Sequence, residues 1–150
     1  MILISHRGNL EKKDIYRENT PQAIMECLRL DLHVEIDIWN LNNRFYLGHD
    51  SPIIEVPVIL LEHPRIWCHA KNDTAFFKLK ENNNIHCFWH NTDDYTITSK
   101  GYICAYPGKN INEHTIAVLP EQYNYSQNDL NKCLGICSDN ILGYINAKNN

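Results

Sequence analysis

Four short clusters carry groups from which chemistry could be built: His6-Arg7, Glu35-x-Asp37, His49-Asp50 and His69-x-Lys71. Glu35 and Asp37 lie in the run His33-Val34-Glu35-Ile36-Asp37-Ile38-Trp39, which alternates polar or aromatic with aliphatic residues. In a strand, that alternation puts Glu35, Asp37 and Trp39 on one face and Val34, Ile36 and Ile38 on the other. Two neighbouring carboxylates repel unless a cation or basic partner lies between them, and hard oxygen ligands suit Mg²⁺ or Ca²⁺. The competing reading is the solvated face of an amphipathic edge strand. Trp67, His69 and Lys71 share a face in the same way. Singly, each histidine is as consistent with an exposed turn or a satisfied core as with proton transfer.

The elements that must position these groups are short. Strand patterns cover Ile2–Ser5, 33–39, 45–47, 66–70, 85–89, 102–105, 115–119 and 134–137. Thr20 is a good N-cap with Pro21 at the first helical position, and Ala23, Ile24, Cys27, Leu28 and Leu30 form that helix's apolar stripe. A second short helix fits 74–80, the stretch 56–62 is ambiguous, and Asn42-Asn43 is a turn signal. Helical stretches between strands predict a largely parallel α/β sheet. All four clusters then fall at strand carboxyl ends, where the active sites of parallel folds form.

Composition narrows the partners. The chain has 150 residues, a formal net charge of -4 and 21% charged residues, which reads as one soluble domain over 1–150. A net negative chain lacks the basic patch on which nucleic-acid or anionic-membrane binding rests. No apolar run reaches the roughly 18 residues needed to span a bilayer, and the opening Met1–Ser5 is too short for a signal core. Cys27, Cys68, Cys87, Cys104, Cys133 and Cys137 show no Cys-x-x-Cys spacing. They read as free buried thiols of a cytoplasmic protein.

Taken in order, His6-Arg7-Gly8, Glu18-Asn19-Thr20, Glu35-x-Asp37 and His49-Asp50 resemble the signature of the glycerophosphodiester phosphodiesterase family. Gly135-Ile136-Cys137-Ser138-Asp139 resembles the motif at that family's last strand. The strong part of the resemblance covers residues 1–50. It implies metal-dependent cleavage of glycerophosphodiesters or similar small alcohol phosphodiesters. Glu35 and Asp37 would bind a divalent cation, and His6 and His49 would serve as acid and base. Arg7 would hold the phosphate, Glu18 would orient Arg7, and Lys71 would add positive charge. Trp39 would face the alcohol or fill the interior. The wider superfamily contains phospholipase-like lyases that release cyclic phosphates, and a non-catalytic phosphate binder is the remaining alternative.

Two features strain the resemblance. The family places an acid where this chain has His69, so His69 would be the third metal ligand. Imidazole suits Mn²⁺ better than Mg²⁺ or Ca²⁺, so Mn²⁺ joins the candidate ions. The implied fold is a (β/α)₈ TIM-type barrel, which takes about 250 residues. Eight strands here would leave about 14 residues per connection. The expectation is therefore a compact barrel with several outer helices shortened or missing, its bare strand faces covered by, for example, a homodimer partner.

Overall fold

A computed structural model describes residues 1–149 of the chain. Its ten strands form one mixed sheet. The strands are β1 (Ile2–His6), β2 (His33–Leu41), β3 (Arg44–Leu47), β4 (Ile54–Val56), β5 (Ile66–Ala70), β6 (His86–Trp89), β7 (Tyr95–Ile97), β8 (Ile103–Ala105), β9 (Thr115–Val118) and β10 (Gly135–Ser138). Seven of them are parallel, in the order β6-β5-β2-β1-β10-β9-β8. The other three run antiparallel to their partners: β3 on β2, β4 on β3, and β7 on β8.

Alternation sorts the side chains into two layers. On the outer face, Val34, Ile36 and Ile38 of β2 join Cys68, Ala70, Cys87, Ala117 and Ile136 in the larger core. Five short helices each add buried residues to it: α1 (Pro21–Arg29), α2 (Val58–Leu61), α3 (Asp73–Lys80), α4 (Gln127–Lys132) and α5 (Ile141–Asn149). The Thr20 hydroxyl caps α1 by accepting from the Ala23 N–H, with Pro21 at the first helical position as expected. Gly8 (φ 86°) lies so close to α1 that a Cβ there would stand 2.7 Å from the Ala23 Cβ. On the inner face, Ile4, Trp67, Phe88, Cys104, Ile116 and Cys137 meet in one smaller cluster. These residues come from six different strands, so the sheet rolls round on itself. Its ends touch through the turn after β7: the Ser99 N–H donates to the Cys87 carbonyl at 2.8 Å. The Cys87 N–H returns a bond to the Ser99 hydroxyl at 2.9 Å. All six cysteines are free and buried.

The (β/α)₈ TIM-type barrel expected from the sequence is overturned. Strands run both ways, and no helix joins β2 to β3, β6 to β8, or β8 to β9. The physical reason begins at Asn42-Asn43. Both residues are left-handed (φ 52° and 62°), which makes a two-residue hairpin turn. A loop that short returns the chain antiparallel, whereas a parallel crossover needs about a dozen residues or more. The same turn brings the end of β3 back beside the middle of β2, where Leu47 pairs with Ile38. Among the described residues, no helix is long and apolar enough to cross a membrane.

Candidate active site

The carboxyl edges of the parallel strands surround a cavity of about 440 Å³, lined by His6, Arg7, Glu35, His49, His69 and Lys71 together with apolar and aromatic residues. β1 delivers His6 as its last residue, and the chain then turns through Arg7, held left-handed at φ 56°. A non-glycine residue in that region is strained, and such strain persists only where surrounding bonds fix it. Here the Arg7 N–H donates to the Glu35 carbonyl at 2.8 Å, and its carbonyl accepts from the N–H of Asn19, itself left-handed at φ 55°. Asn19 then clamps Asp37 twice, accepting from its N–H and donating to Oδ2, both at 2.9 Å.

Asp37 is the centre of charge. Its side chain is fully buried, with Arg7 Nε 2.9 Å from Oδ2, and with His69 Nδ1 and Lys71 Nζ at 3.1 and 3.5 Å from Oδ1. Burial alone would raise its pKa, but His69, Arg7 and Lys71 outweigh burial and hold it far below the usual carboxylate range. None of the cations aligns a hydrogen bond on Oδ1, which is left without a partner. Glu35 sits beside it on the same strand face, and its Oε1 lies 3.6 Å from His69 Nδ1. Glu35, Asp37 and His69 offer three ligand atoms within 4.8 Å of one another.

His69 is held from three sides. Its ring stacks on Phe88 at 5.0 Å, the two planes nearly parallel, and Nε2 lies 3.1 Å from the His90 carbonyl. A carbonyl only accepts, so Nε2 carries the proton and Nδ1 faces the carboxylates. Burial disfavours the charged imidazole, yet Asp37 and Glu35 push its pKa up to about 9. His6 has a different partner. Its Nδ1 lies 2.7 Å from Asp139 Oδ1, which also accepts from the Asn9 amide at 2.8 Å. Against burial, the Asp139 bond and Glu35 raise the His6 pKa. That tie leaves Nε2, 3.8 Å from Glu35, as the ring nitrogen open to the cavity.

His49 arrives by the hairpin. The Gly48 N–H donates to the Asp37 carbonyl, and the Trp39 indole N–H donates to the Gly48 carbonyl at 2.7 Å. At Gly48 (φ 147°) a Cβ would stand 2.0 Å from the Ser51 carbonyl oxygen, so only glycine makes this turn. The more exposed His49 has its Nδ1 2.7 Å from Asp50. Glu18 contacts Arg7 at 3.4 Å, as the resemblance implies. Trp39 is elsewhere: it does not line the cavity, and it secures the loop that carries His49.

Sequence reasoning missed Asn9 as a ligand of Asp139 and the His90 carbonyl as the anchor of His69. No local pattern marks either. Asp139 was visible only as the end of the Gly135–Asp139 motif. Around the cavity, the carboxylates of Glu18, Glu35, Asp37 and Asp139 face two permanent cations, Arg7 and Lys71. The deficit of two charges can be filled by two imidazolium protons or by one divalent cation. Compared with known protein families, characterised proteins and solved structures, the chain matches none of them.

Proposed function

We propose that the chain cleaves small alcohol phosphodiesters, glycerophosphodiesters first among them, with a divalent cation at Glu35, Asp37 and His69. The observation that carries this reading is convergence. His6 from β1 and His49 from the β3 hairpin line the same cavity as Arg7, Lys71, Glu35 and His69. A phosphodiester resists attack because its non-bridging oxygens are negative, and Arg7 and Lys71 meet that charge from one wall. A bound divalent cation supplies further charge neutralisation to the phosphate. Both histidines have Nδ1 on a carboxylate, Asp139 or Asp50, which leaves Nε2 for proton transfer. One imidazole takes the proton of the attacking hydroxyl, and the other gives a proton to the leaving alkoxide. The donor set fits a cation because Asp37 Oδ1 is buried with no hydrogen bond.

The opposite wall describes the alcohol. Tyr106, Ile116, Val118 and Leu119 line it with no formal charge, so a small uncharged moiety fits there best. The test is release of product from bis(p-nitrophenyl) phosphate and glycerophosphocholine by metal-stripped protein, with Mg²⁺, Ca²⁺ and Mn²⁺ added separately. Metal-dependent release supports the reading. Tight capture of a phosphate ligand without turnover under any metal would replace it with a binding protein.

A further inference from the structure

Building on the phosphodiesterase reading of this site, we propose that its cation is a first-row transition ion, selected over Mg²⁺ and Ca²⁺ by His69. The donors are two carboxylates and one imidazole nitrogen, all within 4.8 Å of one another. Mg²⁺ and Ca²⁺ are hard cations that take oxygen, whereas an imidazole donor favours transition ions. Three observations make His69 a built donor rather than a passing neighbour. Its Nε2–H donates to the His90 carbonyl, which turns Nδ1 to the carboxylates. This is the outer bond by which metal-binding histidines are usually oriented. Its ring is fixed against Phe88, so Nδ1 cannot swing away without losing that stack. The atom it faces at 3.1 Å, Asp37 Oδ1, is fully buried and has no hydrogen bond. Across that gap sits either the Nδ1 proton of an imidazolium or, once that proton is displaced, a cation shared by nitrogen and oxygen.

The experiment needs no substrate. Metal-stripped protein is titrated calorimetrically with Mn²⁺ and with Mg²⁺, as wild type and as His69→Asp. Wild type should bind Mn²⁺ the more tightly. His69→Asp should reduce the Mn²⁺-to-Mg²⁺ affinity ratio by about tenfold or more, the scale known even for lost outer-shell partners. An unchanged ratio, or equal affinities in wild type, would overturn the inference. Electron spin-echo spectroscopy of Mn²⁺-loaded wild type gives a reading independent of whether the variant folds: an imidazole nitrogen coupling supports the inference and its absence refutes it. Nitrogen-ligated Mn²⁺ without phosphodiester cleavage would leave this inference standing and sink the enzymatic reading. Cleavage by protein that binds Mg²⁺ as tightly as Mn²⁺ would do the reverse.

Discussion

Histidines gather at both ends of the rolled sheet, and those that meet carboxylates behave in the opposite way to those that do not: burial lowers even His90, stacked on Tyr106 in the carboxyl-end cavity, to about 4. At the amino ends of the parallel strands, His33 Nδ1 accepts from the Trp67 indole N–H at 3.0 Å. His86 Nε2 there lies 2.7 Å from the Thr98 hydroxyl, and its ring is 4.0 Å from that of Trp67. These partners are neutral, and burial lowers both pKa values, to about 4 for His86. At the carboxyl ends, His6 and His69 meet Asp139, Glu35 and Asp37, and their pKa values rise. The amino-end cavity is the larger, at about 670 against 440 Å³. The larger cavity is therefore not the one where histidines meet carboxylates. An imidazole becomes a candidate acid or base through the carboxylate that faces it, and this sheet supplies that contrast within one core.

The largest expected effect tests that contrast through turnover. His6→Ala or His49→Ala should slow phosphodiester cleavage by about a hundred- to ten-thousand-fold, the usual worth of a positioned acid or base. His86→Ala should leave the rate per folded molecule nearly unchanged. Equal losses at the two ends would erase the functional distinction between them. Next in size is stability. Asp37→Ala strands Arg7 and His69 beside a buried gap and should cost about 3–5 kcal/mol in urea unfolding. Thr98→Val, which unpairs the neutral His86, should cost about 1 kcal/mol.

The same comparison is sharpened through pH. His86 titrates near 4 when folded and near 6.5 when unfolded. Between those values the unfolded chain binds more protons, so stability rises with pH and is complete above 6.5. His69 reverses the sign: with a folded value of about 9, it contributes stability below pH 6.5 that is lost as pH climbs towards 9. Each slope should span on the order of 3 kcal/mol in metal-free protein. His86→Gln should flatten the acid limb, and His69→Asp the alkaline limb. An unchanged alkaline limb in His69→Asp would show that His69 is not the group held protonated.

Much of this arrangement is legible in the sequence, and the missing part has one cause. Alternation in β2 places Glu35 and Asp37 inward and Val34, Ile36 and Ile38 outward, as the structure has them. Alternation is a local property, so it survives any error in topology. Strand direction is not local. The run 45–47 has the composition of a parallel strand, and only the two-residue Asn42-Asn43 loop gives its reversal away. β4 and β7, at three residues each, are too short to show a period. Trp39 shares its face with Asp37 by sequence, but the hairpin folds over it and turns its indole to the backbone of Gly48. Contacts such as Asn9 to Asp139, 130 residues apart, leave no trace in local pattern.

That separation bears on how the molecule is made. β1 leaves the ribosome before β10, with eight strands made between them, yet the two lie side by side in the sheet, Ile2 opposite Gly135. During synthesis β1 can dock early against β2, bringing Arg7 to Asp37, while its other edge stays open. Only when β10 fills that edge does Asp139 reach the His6 ring. A nascent chain thus gathers Glu35, Asp37 and His69 well before His6 is anchored. Chains cut short before β10 would keep that cluster and lack the anchor. They would also carry an unpaired strand edge that quality control and aggregation both recognise.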